Sequence, residues 1–205
     1  MNRLVVLFIV ALFSVINNSC NKVNNHSDSF SENIVEKEVH MSFKNIEMNT
    51  PIDSFCLKLE SEGYKIIAEC NEGVIMEGYF MEEKSNILIY GLPPQGVVSG
   101  VQVLLDIDNF TPTWASLEKK YYEYKKLLTE KYGSGECEEK FVHPYFNGCG
   151  DEIKAIKDGK CLYQSLFKAE GGCITLSFHE LGLLSINYED SINKKEVDKL
   201  KSAQL

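Results

Sequence analysis

The chain has few of the features that usually announce a function. It has no cluster of Lys and Arg: 21 basic residues are interspersed with 30 acidic ones, for a net charge of −9. Phosphate backbones are bound by clustered cations, so nucleic acid is not an expected partner. An acidic balance of this kind signals solubility instead. There is no CxxC pair and no Cys/His group at metal-ligand spacing, which argues against zinc. No motif calls for a cofactor. Gly-X-Ser-X-Gly and Ser-X-X-Lys, the common serine-nucleophile signals, are both missing. Also missing is an apolar run of the roughly 20 residues that a membrane-spanning helix needs.

The longest apolar run is LVVLFIVALFSVI, from Leu4 to Ile16, preceded by the single positive charge of Arg3. A cation followed by a short apolar stretch is the anatomy of a secretory signal. A buried core helix would show a polar face, and this run has none. Ordinary signal cleavage prefers small residues at the third and first positions before the cut, and no good pair is present. Instead Ser19 directly precedes Cys20. This resembles a bacterial lipobox, in the looser form of Bacteroidota lipoproteins, with Asn17 standing where Leu is usual. The resemblance implies cleavage between Ser19 and Cys20, a diacylglycerol on the Cys20 sulfur and acylation of its new amine. The membrane is then a partner through acyl chains on Cys20. Each buried CH₂ contributes ~0.8 kcal/mol, so two or three chains anchor where one would not. The expected location is the cell envelope, at the outer membrane.

Residues 1–19 are therefore expected to be a signal peptide. Residues 20–39, with NKVNNHSDSFSENIVEKEV after the cysteine, are rich in Asn, Ser and Glu. That composition buries too little apolar surface to offset its ordering entropy. It is expected to be a tether, with a reach of roughly 25 Å.

Residues 40–205 carry the periodic patterns of one folded domain. HMSFKNIEM, 40–48, is expected to be a strand. Thr50 and Pro51 are expected to open a helix that Gly63 ends, with Ile52, Phe55, Cys56 and Leu59 on one face. Strands follow over 64–70, 73–80, 86–92 and 98–107; Pro93-Pro94-Gln95-Gly96 is a turn. Thr111-Pro112 opens a second helix and Gly133 ends it. Trp114, Leu117, Tyr121, Tyr124 and Leu128 recur along it at spacings of three and four. Strands resume over 135–142. IKAIK and KCLYQSLF then form a hairpin across Asp158-Gly159. Gly171-Gly172 turns the chain into CITLSFHE, LLSINYE follows, and a polar helix over 191–203 closes the chain. This order predicts an α+β fold: antiparallel sheet, helices on one face and a C-terminal helix. It is consistent with an αβββ unit used twice, over 40–110 and 111–205.

The segments FKNIEMNTPIDSFCLKLESEGY, WASLEKKYYEYKKLLTEKYG, IKAIKDGKCLYQSLFKAEGGCITLSF and INYEDSIN resemble a group of small exported proteins of Bacteroidales bacteria, over roughly residues 40 to 195. The resemblance implies an envelope setting and a shared fold. It carries no activity and no catalytic residues.

Cys20 aside, six cysteines remain, an even count that permits disulfides in an exported chain. If Gly171-Gly172 makes a tight hairpin, residue 168 faces about residue 173. Cys161 and Cys173 are then ~23 Å out of register, beyond bonding range. Cys56 with Cys70, and Cys137 with Cys149, are the candidate pairs; the alternative for each is a buried free thiol.

Other chemistry fits poorly. Cys173 and His179 share a strand face but lie ~20 Å apart. His143 and Cys149 flank the loop HPYFNGCG, where a cysteine nucleophile would find a base, although a solvated loop histidine is the commoner arrangement. Asp106-Ile-Asp108-Asn-Phe110 begins like a calcium loop, but Phe110, Thr111 and Leu117 stand where ligands and glycine are needed. Trp114 with Tyr121, Tyr122 and Tyr124 suggests a sugar-stacking platform, yet the helical spacing favours core packing. No catalytic residue is assigned. The expectation is a non-catalytic binding or scaffolding domain with an unidentified envelope partner or ligand. The alternative is an inhibitor or immunity-like module using loop 143–150, ordered by a disulfide at Cys149.

Overall fold

The computed structural model describes residues 38–70, 73–92, 96–105 and 112–202. The signal, Cys20, the tether to residue 37, Pro93 to Gln95, and Asp106 to Thr111 lie outside them. The fold is α+β; the described residues form one eight-stranded antiparallel sheet, one two-stranded sheet and four helices.

The first elements are β1 (Ser42–Phe43) and β2 (Ile46–Glu47), a hairpin rather than one strand. Its turn residues Lys44 and Asn45 both have positive φ, 49° and 61°. Such a turn matches the twist of two-residue hairpins but usually contains glycine, so its sequence signal is faint. Helix α1 (Ile52–Ser61) follows, burying Phe55, Cys56 and Leu59. Pro51 is its N-cap; the Thr50 carbonyl instead accepts from Val98 N–H at 2.9 Å. Gly63, at φ 94°, turns the chain as expected.

Strands β3 (Lys65–Cys70), β4 (Gly73–Phe80), β5 (Glu83–Leu92) and β6 (Val97–Leu105) form a meander. Helix α2 (Trp114–Tyr132) comes next. A capping box of Thr113 and Ser116 opens it, in place of Thr111-Pro112. Gly133 caps its end. A second meander contains β7 (Glu136–Phe141), β8 (Cys161–Ala169), β9 (Gly172–His179) and β10 (Leu183–Asp190), and α4 (Ser191–Ser202) follows it. Each half thus has four strands after its long helix rather than the three of an αβββ unit, and in the second half a short helix stands between the first two strands. The two meanders join through their last strands, giving the order β3-β4-β5-β6-β10-β9-β8-β7. At the seam Val101, Val103 and Leu105 pair with Tyr188, Ile186 and Leu184.

Between β7 and β8 the segment IKAIK is helical, as part of α3 (Glu152–Lys157). Glu152, Ala155 and Ile156 are its buried positions, a spacing of three and four. Asp158-Gly159 is the helix exit, with Gly159 at φ 64° and the Lys160 N–H donating to the Ala155 carbonyl at 2.8 Å. An Asp-Gly pair serves a helix C-terminus as well as a hairpin, and here local packing decides.

The β8–β9 register is the expected one: Lys168 pairs with Cys173. Cys161 is thereby offset from Cys173 and is a free thiol, so the two are not bonded to each other. The edge strand β7 presents Glu136, Glu138 and Lys140, charges that discourage pairing with another sheet.

α1 and α2 lie over one face of the sheet. Tyr64 packs on Gly78, where a methyl group would sit 2.3 Å from the ring. Tyr121 bonds Ser165 at 2.7 Å and meets the rings of Tyr163 and Phe178. The hairpin β1–β2 covers the seam between them, with Phe43 against Phe80 and Tyr188. β6 is buried on both sides from Ser99 to Leu105, and α4 contacts β5, β6, β9 and β10. No described helix is long and apolar enough to cross a membrane.

Candidate functional site

Two features of the domain are candidates for a site. The first is a cleft of about 550 Å³ between hairpin β1–β2 and the C-terminal half of α2. That volume falls within the range of ordinary ligand pockets. Its floor is apolar and buried: Phe43, Phe80, Leu128, Ile186, and the rings of Tyr124 and Tyr188. Burial pushes both phenol hydroxyls well above the usual tyrosine range, so they remain neutral. The wall is one stripe of α2, residues 124, 127, 128, 131 and 132, about 12 Å long at 1.5 Å per residue. The rim exposes Met81 and Leu127, 52% and 43% accessible, beside Ser42, Lys44, Asn45 and Lys131.

Backbone strain gathers at this rim. The described non-glycine residues with positive φ are Lys44, Asn45, Met81 and Glu82. They form two two-residue turns, and three of the four line the cleft. L-residues other than Asn and Asp pay roughly 1–2 kcal/mol in this conformation. It persists because the flanking strands impose it: Phe80 pairs with Glu83, and Phe43 with Ile46.

The second feature is the loop from His143 to Asp151. Trp114, wedged edge-on against Phe141, Tyr163 and Phe178, donates its indole N–H to Asn147 at 2.8 Å. Asn147 in turn donates to Glu118. Tyr145 bonds Asp158 at 2.6 Å. The buried Glu152 carboxylate accepts the Gly148 N–H at 2.6 Å. Burial alone would raise this carboxyl. The N–H groups of residues 152, 148, 150 and 149 outweigh it and hold the acid below the usual carboxylate range. The loop carries Phe146 outward, 62% accessible.

A depressed pKa gives a definite sign. The stabilisation is present above the ordinary glutamate pKa of ~4.3 and is lost as pH falls through the lower folded value. The loop is therefore expected to open in acid. The Gly148 amide should lose protection there, relative to its intrinsic exchange rate, while β9 amides stay protected. Glu152→Gln should give the same loss of protection at neutral pH, at a cost of roughly 1–3 kcal/mol. Unchanged Gly148 exchange in the variant would show that the carboxylate does not hold the loop.

The cysteines do not supply this order. Cys56, Cys137 and Cys149 are free thiols. Cys137 lies near the start of β7 and the loop leaves from its end, Phe141, four residues or ~13 Å further on. The expected Cys137–Cys149 disulfide is therefore not formed, and hydrogen bonds order the loop in its place. Cys56 is buried in α1, where burial, then Asp53, Glu60 and Glu69, push its thiol up to about 11. The side chain of Cys70 lies outside the described residues. His143 is exposed, and His179 is held by the Leu181 N–H at 3.2 Å. Tyr121 and Tyr124 are core residues, while Tyr122 bonds Glu139 at 3.0 Å. No group of three metal-ligating side chains occurs among the described residues.

Sequence reasoning missed the cleft. Its signal was the pair of glycine-free turns, Lys44-Asn45 and Met81-Glu82, each between apolar residues. No protein-family model, curated protein or solved structure matches the chain.

Proposed function

We propose that this chain is a lipid-anchored cell-envelope protein whose domain, residues 40–205, is a non-catalytic binding module. The observation that carries the reading is the cleft. It has an apolar floor of ligand-pocket size, and its lining contains two lysines but no Asp, Glu, His or Cys. A surface of that composition can hold a ligand by burial of its apolar part and by charge at the rim. The lipobox resemblance at Cys20 and the resemblance to exported Bacteroidales proteins support the envelope setting.

Metabolic labelling with a lipid analogue tests the anchor. Wild type should take up label and Cys20→Ala should not; label persisting in the variant would refute it. Cross-linking in intact envelopes tests the module. Capture should be lost in Leu127→Trp, which fills the cleft from an exposed position. Capture that is indifferent to the substitution would place binding elsewhere.

The ordered loop favours a second reading, an inhibitor or immunity-like module against a secreted hydrolase. A rigid loop presenting an aromatic side chain loses little entropy on docking. The link to that role is otherwise fold analogy. Under it, Phe146→Ala would abolish capture while Leu127→Trp would not.

A further inference from the structure

We propose that the cleft binds an amphipathic anion, an acyl chain ending in a carboxylate, with the chain along α2 and the head at Lys131; this rests on the cleft being a ligand site. Three observations lead there. First, charge: the protein carries 30 acids to 21 bases, yet the cleft lining has two lysines and no acid. Of the two, Lys44 is paired with Glu62 at 3.0 Å. Lys131 lies 5.0 Å from the Tyr132 ring centroid and has no carboxylate partner among the described residues. Lys131 is thus the cation free to meet a ligand, and a lysine binds as a point charge without demanding a forked partner.

Second, polarity is graded. Floor residues are apolar apart from two phenol hydroxyls, whereas Ser42, Asn45 and both lysines stand at the rim. A ligand rich in polar groups would leave them unpaired at the floor, at a penalty of ~1–3 kcal/mol each. A slender apolar body with one charged end meets both zones. Third, the two strained turns hold Lys44 and Met81 at the mouth. Strain kept at the rim of a concave surface is a pattern of preorganised sites.

The test uses the full chain in phospholipid nanodiscs. Dodecanoate, dodecanol and dodecyltrimethylammonium, each with a terminal diazirine, are photo-activated and the labelled peptides mapped. Dodecanoate should label peptides containing Met81 and Leu127 about tenfold more than the ammonium probe, a difference of about 1.4 kcal/mol. Lys131→Glu should reverse that preference, and Leu127→Trp should remove labelling by all three. Equal labelling by the three probes would overturn the anion proposal while leaving the cleft a ligand site. If no probe labels the cleft of the folded protein, whether it is empty or closed by the protein's own stalk or a second copy, both readings fall.

Discussion

Replacing Asp190 with alanine is expected to remove about 3–5 kcal/mol of stability, a large part of the total for one domain. The carboxylate is fully buried and ties three parts of the chain together. Oδ2 accepts the Met41 N–H at 2.7 Å, securing the segment before β1. Oδ1 accepts the N–H groups of Ile192 and Asn193 at 3.1 and 2.8 Å, starting α4. The His40 ring nitrogen Nδ1 lies 3.1 Å from Oδ2. Alanine leaves these donors without an acceptor where little water can reach them. Asn193 also donates to the Val98 carbonyl, so a displaced helix start disturbs β6 as well. Asp190→Asn should fall between, because its amide nitrogen must face one backbone donor. Denaturant unfolding gives the result directly. An alanine variant within about 1 kcal/mol of wild type would mean that the hairpin and α4 hold without this carboxylate.

Asp190 also shows where sequence reading stops. In sequence it is an acid at the end of LLSINYE, followed by a polar helix, and nothing marks it as buried. Its role comes from contacts some 150 residues apart, to His40 and Met41. The same separation hides the β6–β10 seam, since Val101 and Tyr188 become neighbours only when two meanders meet. Local rules served well where the deciding interactions were local. Thr111-Pro112 ahead of an apolar stripe marked the start of α2 within two residues of its actual cap, Thr113. The Gly171-Gly172 pair put Lys168 opposite Cys173, with the turn itself one residue earlier, since Gly172 already pairs with Ala169. They served poorly where two structures share one signal. Asp158-Gly159 reads as a hairpin turn, and only the burial of Ala155 and Ile156 makes it a helix end. The cleft was least legible of all. Its two turns lack the glycine that advertises such geometry, and its walls come from β1, β4, α2 and β10, elements that no spacing in the chain connects.

Truncating Phe43 to alanine is expected to open the hairpin β1–β2 while the sheet stays folded, with a local loss of about 3–5 kcal/mol. The ring is 1% accessible and lies 6.0 Å from Phe80, nearly parallel, and 5.0 Å from Tyr188, edge-on. Two strands of two residues each cannot hold themselves, since isolated hairpins are marginal even when longer. The hairpin therefore stays down through Phe43, Ile46, the Met48 N–H to the Met41 carbonyl at 2.8 Å, and Asp190. Removing the ring takes away the largest of these contacts. It also leaves a hollow beside the cleft, which water can enter. Hydrogen exchange should show the Met48 amide losing protection while Ile174 and Ile186 amides keep theirs, as expected of local opening. Phe43→Leu, which preserves most of the volume, should cost less than about 1.5 kcal/mol. Combined with Asp190→Ala, the two losses should add to less than their sum, because both act by releasing one hairpin. Full additivity, or Ile174 and Ile186 amides that exchange as fast as Met48, would mean that the hairpin is part of the global core rather than a flap closed over the seam.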